Sequence, residues 1–216
     1  MRYFMGPDVW AATVADIDAA GHERVGRLEE AEVFVNTASD PAQTPEIPEN
    51  IQWVQYCFTG VNRHIEAGLI RPDGLPWCNS AGAFAKPVAE SALGLMLSQA
   101  HHHKAFALAK SWSVARELDE SQAWLYDQQG PTRVLIVGAG GIGTQLMAYL
   151  EPFGVHITAV NRSGRPVDGA DVTLPIERVD EAWGEADFVV SILPATEATE
   201  ALSVSYTHLT LPTTPY

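Results

Sequence analysis

One stretch near the middle of the chain constrains the fold more than any other. The strand-like run Arg133–Val137, apolar after its first residue, ends directly in Gly138-x-Gly140-x-x-Gly143, and a helix-forming segment, Thr144–Leu150, follows at once. In a strand–turn–helix of this kind, the first glycine permits a tight turn, the second lets the backbone approach a pyrophosphate, and the third lets helix and strand pack closely. The helix N-terminus then offers free N–H groups and a positive dipole end to the anion. The pattern predicts a dinucleotide-binding loop formed by Gly138, Gly140, Gly141, Ile142 and Gly143.

The segments after this loop alternate between strand-like and helix-like runs. Val155–Val160 and Asp187–Leu193 are rich in Val and Ile, and Ile176–Trp183 between them fits a helix. Strands of this composition that are separated by helices are typical of a doubly wound parallel sheet. We therefore expect residues 119–203 to form an α/β dinucleotide-binding domain, whose sheet is incomplete within this chain.

The first part of the chain has an α/β pattern of its own. Ala31–Asn36 and Ile51–Tyr56 are predicted strands, and Val9–Ala20 and Val61–Ala67 are predicted helices closed by glycines. Together they predict a small α/β domain over residues 1–89.

The two predicted domains are joined by a segment with helical spacing of its apolar residues. This spacing holds from Pro87 to Leu118 without an internal Gly-Pro break. It predicts a connector helix over residues 90–118. The alternative is an ordinary core helix of one domain.

Composition argues against several classes of partner. Asp and Glu outnumber Lys and Arg by 27 to 13 without any basic block, so nucleic-acid binding, which needs clustered cations, is not expected. No apolar run approaches the length of a membrane span, and Cys57 and Cys78 lack metal or redox spacing. The run His101-His102-His103 cannot converge on one ion, because successive helical residues point about 100° apart. We expect a cytoplasmic protein without a metal, membrane or nucleic-acid partner.

The residues after the second strand of the dinucleotide-binding domain indicate which dinucleotide binds. An acidic residue is usual there, because its carboxylate hydrogen-bonds the ribose 2′-hydroxyl of NAD. This chain instead has Asn161, followed by Arg162, Ser163 and Arg165. A neutral amide does not repel a 2′-phosphate, a guanidinium can grip phosphate bidentately, and a serine hydroxyl adds a donor. The residues favour NADP, with NAD possible; the alternative is that both arginines lie on a solvated turn.

Three segments together resemble one known family, the D-isomer-specific 2-hydroxyacid dehydrogenases. Val134–Gly143 looks like the strand and glycine loop of that family. Ala186–Thr199 looks like its A-D-x-V-x-x-x-x-P-x-T-x-x-T segment, and Val88–Leu97 looks like its V-A-E-x-A-L-x-L-x-L connector helix. The three occur in the order and spacing of the family, and the likeness spans most of Ala31–Leu202.

The resemblance implies a Rossmann domain, a flavodoxin-like N-terminal substrate domain and a cleft between the two. It implies a homodimeric enzyme that transfers a hydride between NAD(P) and a small 2-keto or 2-hydroxy acid, such as glyoxylate or hydroxypyruvate. Pro194 would line the nicotinamide side and Thr199 would hydrogen-bond nearby, whereas Thr59 and Gly60 would bind the substrate carboxylate through backbone N–H groups. Asn161 departs from the Asp that is common in the family.

The catalytic Arg, Glu and His that the family supplies downstream have no match in this chain. No catalytic residue is therefore assigned, and we expect the chain to lack turnover by itself. The segment Val204–Thr213 fits neither the family nor a continuing helix, and it can be encoded by DNA that resembles a transposon-derived sequencing adapter. We expect the natural sequence to be interrupted near Ser203 and residues 204–216 to be a non-native tail; a genuine polar extension is the alternative.

Two other functions stay open from the sequence. A non-catalytic NADP-binding sensor or corepressor on the same scaffold would keep the glycine loop and would lack the His and Arg even in a full-length protein. A different Rossmann enzyme is disfavoured by the connector-like segment and by Pro194–Thr199.

Overall fold

The computed structural model describes residues 1–126, 130–194 and 199, and the chain divides into two compact units. The first unit comprises Met1–Ala81 and the second begins at Gly82, whereas the sequence predicted a first domain that ends at residue 89. The predicted non-native tail, residues 204–216, lies outside the described residues. Each unit is built on its own parallel sheet.

The first unit contains five parallel strands. They are β1 (Arg2–Gly6), β2 (Glu23–Arg24), β3 (Val33–Asn36), β4 (Trp53–Tyr56) and β5 (Trp77–Cys78), with helices α1 (Ala11–Ala19) and α2 (Asn62–Glu66). The strand order β2-β1-β3-β4-β5 is that of flavodoxin-like folds, which confirms the predicted fold of the N-terminal domain. The central strand β3 is buried along its whole length, as expected for a parallel strand covered on both faces.

In its described residues, the second unit contains four parallel strands in the order β8-β7-β6-β9. They are β6 (Arg133–Val137), β7 (His156–Asn161), β8 (Val172–Pro175) and β9 (Phe188–Ser191), with helices α3 (Ala85–Ala100), α4 (His103–Ala109), α5 (Ala115–Glu120), α6 (Gly141–Leu150) and α7 (Asp180–Trp183). Side chains of β6 alternate between two cores, because successive residues of a strand point to opposite faces. Val134 and Ile136 pack with α3 and α6, while Leu135 and Val137 pack with the β8 and α7 side. The predicted doubly wound parallel sheet is confirmed.

The structure divides the predicted connector helix, residues 90–118, into α3, α4 and α5. α3 ends at Ala100, and two residues later His102 adopts a left-handed φ of 52° at the turn that precedes α4. The chain then returns to the end of α3, where the N–H of Ala123 donates to the carbonyl of Ala100 at 3.0 Å. This return buries Leu125, which is 2% exposed, in the core beneath α3 and α6. The prediction of one helix is corrected, because burial of an apolar side chain far along the chain outweighs local helix propensity.

Several short elements also differ from the sequence prediction. Strands β1, β2, β5 and β8 were not predicted, and the predicted helix Ile176–Trp183 consists of a 3₁₀ turn, Ile176–Arg178, followed by α7. These strands have two to five residues and gain their hydrogen bonds from parallel neighbours. Their conformation is therefore set mainly by strand pairing and not by the local sequence. No helix in the described part of the chain is long and apolar enough to cross a membrane.

Candidate cofactor-binding site

The turn between β6 and α6 can be made only with glycine at its first position. Gly138 has φ +101°, and a Cβ there would lie 2.7 Å from the carbonyl oxygen of Ile192, just beyond β9. The N–H groups of Gly138 and Ala139 both donate to the carbonyl of Val160, at 2.9 and 3.1 Å. The turn is therefore fixed between the ends of β7 and β9, at the carboxyl edge of the sheet.

The other two glycines of the loop have different surroundings. A Cβ on Gly143 would lie 2.9 Å from the carbonyl oxygen of Gly138, so this residue lets α6 pack directly against the turn. A Cβ on Gly140 would meet no atom within 4 Å. The backbone of Gly140 thus borders open space, which is the position where a pyrophosphate would approach.

The first turn of α6 has free donors and no competing anion. Its N-cap is Gly140, which has no side chain to cap the helix, and its first turn contains no acidic residue. The N–H groups of Gly141, Ile142 and Gly143 precede the first intrahelical acceptor, and Thr144 is the first to reach one, the carbonyl of Gly140 at 2.9 Å. With the positive end of the helix dipole, these three donors form a site suited to a phosphate anion.

A groove of two adjoining depressions runs along this edge of the sheet. One, of about 420 Å³, has an apolar wall and lies at the ends of β6 and β9; the other, of about 490 Å³, is polar and lies at the end of β7. The two share Ala139, Asn161 and Arg162. The apolar wall contains Ile176, Ile192, Leu193 and Pro194, with Thr199 beside them. A groove of this size and polarity can hold an elongated ligand with an apolar ring at one end and charge at the other.

The polar depression is bordered by the loop that follows β7. Arg162, Ser163 and Arg165 all line it, and both arginines are exposed. Neither guanidinium forms an ion pair with a carboxylate in the described part of the chain. Asp168 also lines this depression and contributes the opposite charge. The structure thus brings together every residue that the sequence predicted for a 2′-phosphate.

The residues predicted near the nicotinamide lie at the apolar depression. Pro194 and Thr199 both line it, and the Thr199 hydroxyl donates to the carbonyl of Pro194. Residues 195–198 lie outside the described residues. No histidine is among the described residues that line either depression.

Sequence reasoning missed several of the residues that line the groove, and three of these bear on the polarity of its two ends. Ile176 and Ile192 belong to its apolar wall, and Asp168 belongs to its polar end. Ile192 could have been found from the rule that ligands bind beyond the carboxyl ends of parallel strands, because it directly follows β9. Asp168 and Ile176 depend on the path of the chain around the unpredicted strand β8, and no local signal marks them.

The predicted substrate loop belongs to the first unit and follows β4. Thr59 and Gly60 are exposed, and their N–H groups donate to no acceptor in the described part of the chain. The loop is held by its carbonyls: Asn79 Nδ2 donates to the Thr59 carbonyl at 2.8 Å, and the Ser80 N–H donates to the Phe58 carbonyl at 3.1 Å. The interactions that anchor the loop therefore use none of the backbone donors that the sequence predicted for a carboxylate.

The consecutive histidines do not form a metal site with other ligands. The His101 and His103 rings lie 5.7 Å apart, and the His102 ring bonds the carbonyl of Ser121 at 2.9 Å. Among the described residues, no three His, Cys, Asp or Glu side chains come together in a way that could hold a metal ion.

Comparison with known proteins places the second unit in a family. Residues 93–209 match the family model described as D-isomer specific 2-hydroxyacid dehydrogenase, NAD binding domain. An uncharacterized protein encoded in the proB 3′ region of Corynebacterium melassecola is 44% identical over 199 residues, which covers 92% of this chain and 64% of that protein. A hydroxypyruvate reductase of Thermotoga maritima is 28% identical over 157 residues, which covers 71% of this chain and 48% of that protein. The chain therefore spans less than two thirds of the length of either relative.

Solved structures share the fold. A D-isomer specific 2-hydroxyacid dehydrogenase family protein from Aeromonas salmonicida superposes with a TM-score of 0.72 at 22% identity, covering 98% of this chain and 70% of that one. At this identity the likeness is one of fold. It agrees with a flavodoxin-like unit followed by a dinucleotide-binding unit.

Proposed function

Because the chain belongs to the D-isomer-specific 2-hydroxyacid dehydrogenase family, we propose that it is the cofactor-binding part of an NADP-dependent oxidoreductase. The family match covers residues 93–209 of the 216 and includes the glycine loop and the groove. A nicotinamide dinucleotide fits these residues, because the open side of Gly140 and the uncapped N-terminus of α6 suit its pyrophosphate. Once bound, such a cofactor carries a hydride to or from its substrate.

The residues of the groove have separate parts in holding NADP. The N–H groups of Gly141–Gly143 bind the pyrophosphate, and the apolar wall of Ile192, Leu193 and Pro194 packs against the nicotinamide and keeps water from it. Arg162, Ser163 and Arg165 bind the 2′-phosphate at the polar end, and Thr199 hydrogen-bonds near the nicotinamide.

The preference for NADP over NAD depends on one observation in particular. Two guanidinium groups border a polar depression, unpaired with any described carboxylate, where a neutral amide replaces the acid that would repel phosphate. Asp168 opposes this attraction, but two cations outweigh one anion, and guanidinium can also form paired hydrogen bonds with phosphate. A 2′-phosphate therefore gains more at this site than a 2′-hydroxyl.

The substrate of the whole protein is proposed to be a small 2-keto or 2-hydroxy acid. The family supports this class, and the Thermotoga hydroxypyruvate reductase supports hydroxypyruvate, with glyoxylate as a further candidate from the resemblance. In the first unit, the N–H groups of Thr59 and Gly60 would hold the substrate carboxylate, as backbone donors in a turn commonly do. Homodimer formation and a cytoplasmic location, expected from the resemblance and from composition, remain part of this proposal.

The chain of 216 residues is proposed to bind NADPH without oxidising it. Reduction of a keto group needs a proton donor as well as a hydride, and a histidine is the usual one. No histidine lines the described part of the groove. Purified chain mixed with NADPH and hydroxypyruvate should therefore leave the NADPH absorbance constant, and measurable oxidation would contradict this assignment.

The cofactor assignment is tested by calorimetric titration with NADPH and NADH. We expect NADPH to bind about tenfold or more tightly, which corresponds to about 1.4 kcal/mol or more. Arg162→Ala removes a charged hydrogen-bonding partner of the phosphate. It should weaken the binding of NADPH about tenfold and change the dissociation constant of NADH by no more than about twofold. Arg116→Ala is the matched control, because it removes the same charge from an exposed arginine of α5 that does not line the groove. Equal affinity for the two cofactors, or equal losses in the two variants, would refute the NADP assignment.

A further inference from the structure

Asn161 stands at the point where the chain leaves β7 for the loop that carries both arginines. Its Nδ2 donates to the carbonyl of Arg165 at 2.7 Å, and its Oδ1 accepts from the N–H of Ser163 at 3.0 Å. We infer that Asn161 is a positioning residue for NADP selectivity: its amide closes the loop from Arg162 to Arg165 into the shape that presents two guanidiniums to a 2′-phosphate. The inference rests on the proposed NADP cofactor and concerns how the same site selects it.

The two hydrogen bonds fix the orientation of the Asn161 amide. If the amide were turned over, its oxygen would face the carbonyl of Arg165, and its N–H₂ would face the N–H of Ser163. Both contacts would then be between like groups, acceptor against acceptor and donor against donor. The observed orientation pairs each donor with an acceptor.

This arrangement requires an amide and excludes a carboxylate. An aspartate in the same conformation could still accept from the Ser163 N–H through one oxygen. Its second oxygen would take the place of Nδ2, 2.7 Å from the carbonyl oxygen of Arg165, with no proton between the two. The loop therefore selects Asn over Asp for its own closure, in addition to the effect of charge on a bound phosphate.

The loop is also held at its base. Asn161 pairs in register with Pro175 of β8, and a Cβ on Gly164 would lie 2.9 Å from the Cδ of Pro175. Beyond the loop, the N–H of Val167 donates to Oγ1 of Thr173 at 3.3 Å. The backbone between Asn161 and Arg165 thus lies against β8, and the hydrogen bond from the Asn161 amide to the Arg165 carbonyl joins the two ends of the loop.

The closure has a direct consequence for binding. A loop that must be ordered by its ligand loses conformational entropy on binding, and a loop already held in shape does not. Loss of the amide should therefore weaken the binding of ligands that contact the arginines and leave the binding of other ligands unchanged. Adenosine 2′,5′-bisphosphate and 5′-AMP differ only in the 2′-phosphate, so the ratio of their dissociation constants isolates the effect.

The experiment is a double-mutant cycle on the full chain, titrated with these two nucleotides. Asn161→Ala should lower the preference for the bisphosphate about tenfold, or about 1.4 kcal/mol. Asn161→Asp, which keeps the acceptor for Ser163 and loses the donor to Arg165, should lower it at least as far. The double variant Asn161→Ala with Arg165→Ala should lose less than the sum of the two single losses, because residues that act through one another show non-additive losses.

The outcomes separate the positioning role from the cofactor assignment. Wild-type chain that binds both nucleotides equally overturns the NADP proposal, and the positioning role with it. Wild-type chain that prefers the bisphosphate, together with an Asn161→Ala variant that keeps the same preference, overturns the positioning role alone. Fully additive losses in the double variant would also overturn it, since Asn161 would then act independently of Arg165.

Discussion

Two glycines of the same loop, Gly138 and Gly140, should differ in what the addition of one methyl group affects: stability at Gly138 and cofactor binding at Gly140. At Gly138, alanine would have to adopt φ +101° and place its Cβ 2.7 Å from the Ile192 carbonyl oxygen. At Gly140, the backbone has φ −87° and ψ −159°, which alanine accepts, and the added Cβ meets nothing within 4 Å. We predict that Gly138→Ala damages folding and that Gly140→Ala damages cofactor binding alone.

The magnitudes follow from these surroundings. A left-handed conformation costs alanine about 1–2 kcal/mol, and overpacking against backbone that cannot rotate away costs about 1–3 kcal/mol. Alanine also lowers the conformational entropy of the unfolded chain, which stabilises the folded state by about 0.4–1 kcal/mol. The free energy of unfolding of Gly138→Ala should therefore be about 3 kcal/mol lower than that of the wild type. For Gly140→Ala the same entropy gain offsets a weaker N-cap, and stability should stay within about 0.5 kcal/mol of the wild type.

Urea unfolding followed by circular dichroism measures the first effect, and calorimetric titration with NADPH measures the second. The methyl group of Gly140→Ala occupies the open side from which a pyrophosphate approaches, so NADPH should bind about tenfold or more weakly. A Gly138→Ala chain as stable as the wild type would refute the account of the turn. A Gly140→Ala chain that binds NADPH normally would refute the placement of the pyrophosphate.

Two further predictions concern charge and pH. Asp168→Asn removes the acidic side chain from the depression that Arg162 and Arg165 border. It should tighten NADPH binding a few-fold at low salt and leave NADH binding unchanged. Weaker NADPH binding would show that Asp168 orders the arginines instead. Burial lowers the pKa of His64, whose ring is fully buried and lies 4.6 Å from that of Tyr56. Because the folded state disfavours the charged imidazole, His64 contributes stability that is complete above about pH 6.5 and is lost as pH falls below it, by up to about 1.4 kcal/mol per pH unit. Urea unfolding between pH 7.5 and pH 5 should show this loss in the wild type and a smaller one in His64→Phe; parallel curves for the two proteins would rule out His64 as the cause.

The fold of the second unit could be predicted because its signals are local. Val134–Val137 is apolar throughout and leads directly into the Gly-x-Gly-x-x-Gly pattern, so strand, turn and helix are specified by adjacent residues. The connector could not be predicted in the same way. Its residues favour a helix from Pro87 to Leu118, and the break at His102 arises from the burial of Leu125, which lies 23 residues further on. Tertiary burial of this kind leaves no periodic signal near the break.

The candidate site shows the same division between local and distant causes. The arginines were predicted from their position after the second strand, which is a rule of chain order, and the structure places both at the same depression. Asn161 was predicted as a cofactor-binding residue, and its part in closing the loop could not be predicted, because its two hydrogen bonds depend on how the loop turns back toward Arg165. Asp168 was missed because it reaches the depression only through the turn into β8, a strand of four residues without a pattern of its own.

A crystal structure of the chain with NADPH would show directly whether the glycine loop and the loop after β7 hold NADP. We expect pyrophosphate oxygens within hydrogen-bonding distance of the N–H groups of Gly141–Gly143, and a 2′-phosphate in contact with Arg162, Ser163 and Arg165. We also expect the hydrogen bonds that join Asn161 to Arg165 and Ser163 to persist in the complex. A 2′-phosphate that points to solvent, or a pyrophosphate bound away from the first turn of α6, would refute the proposed NADP site.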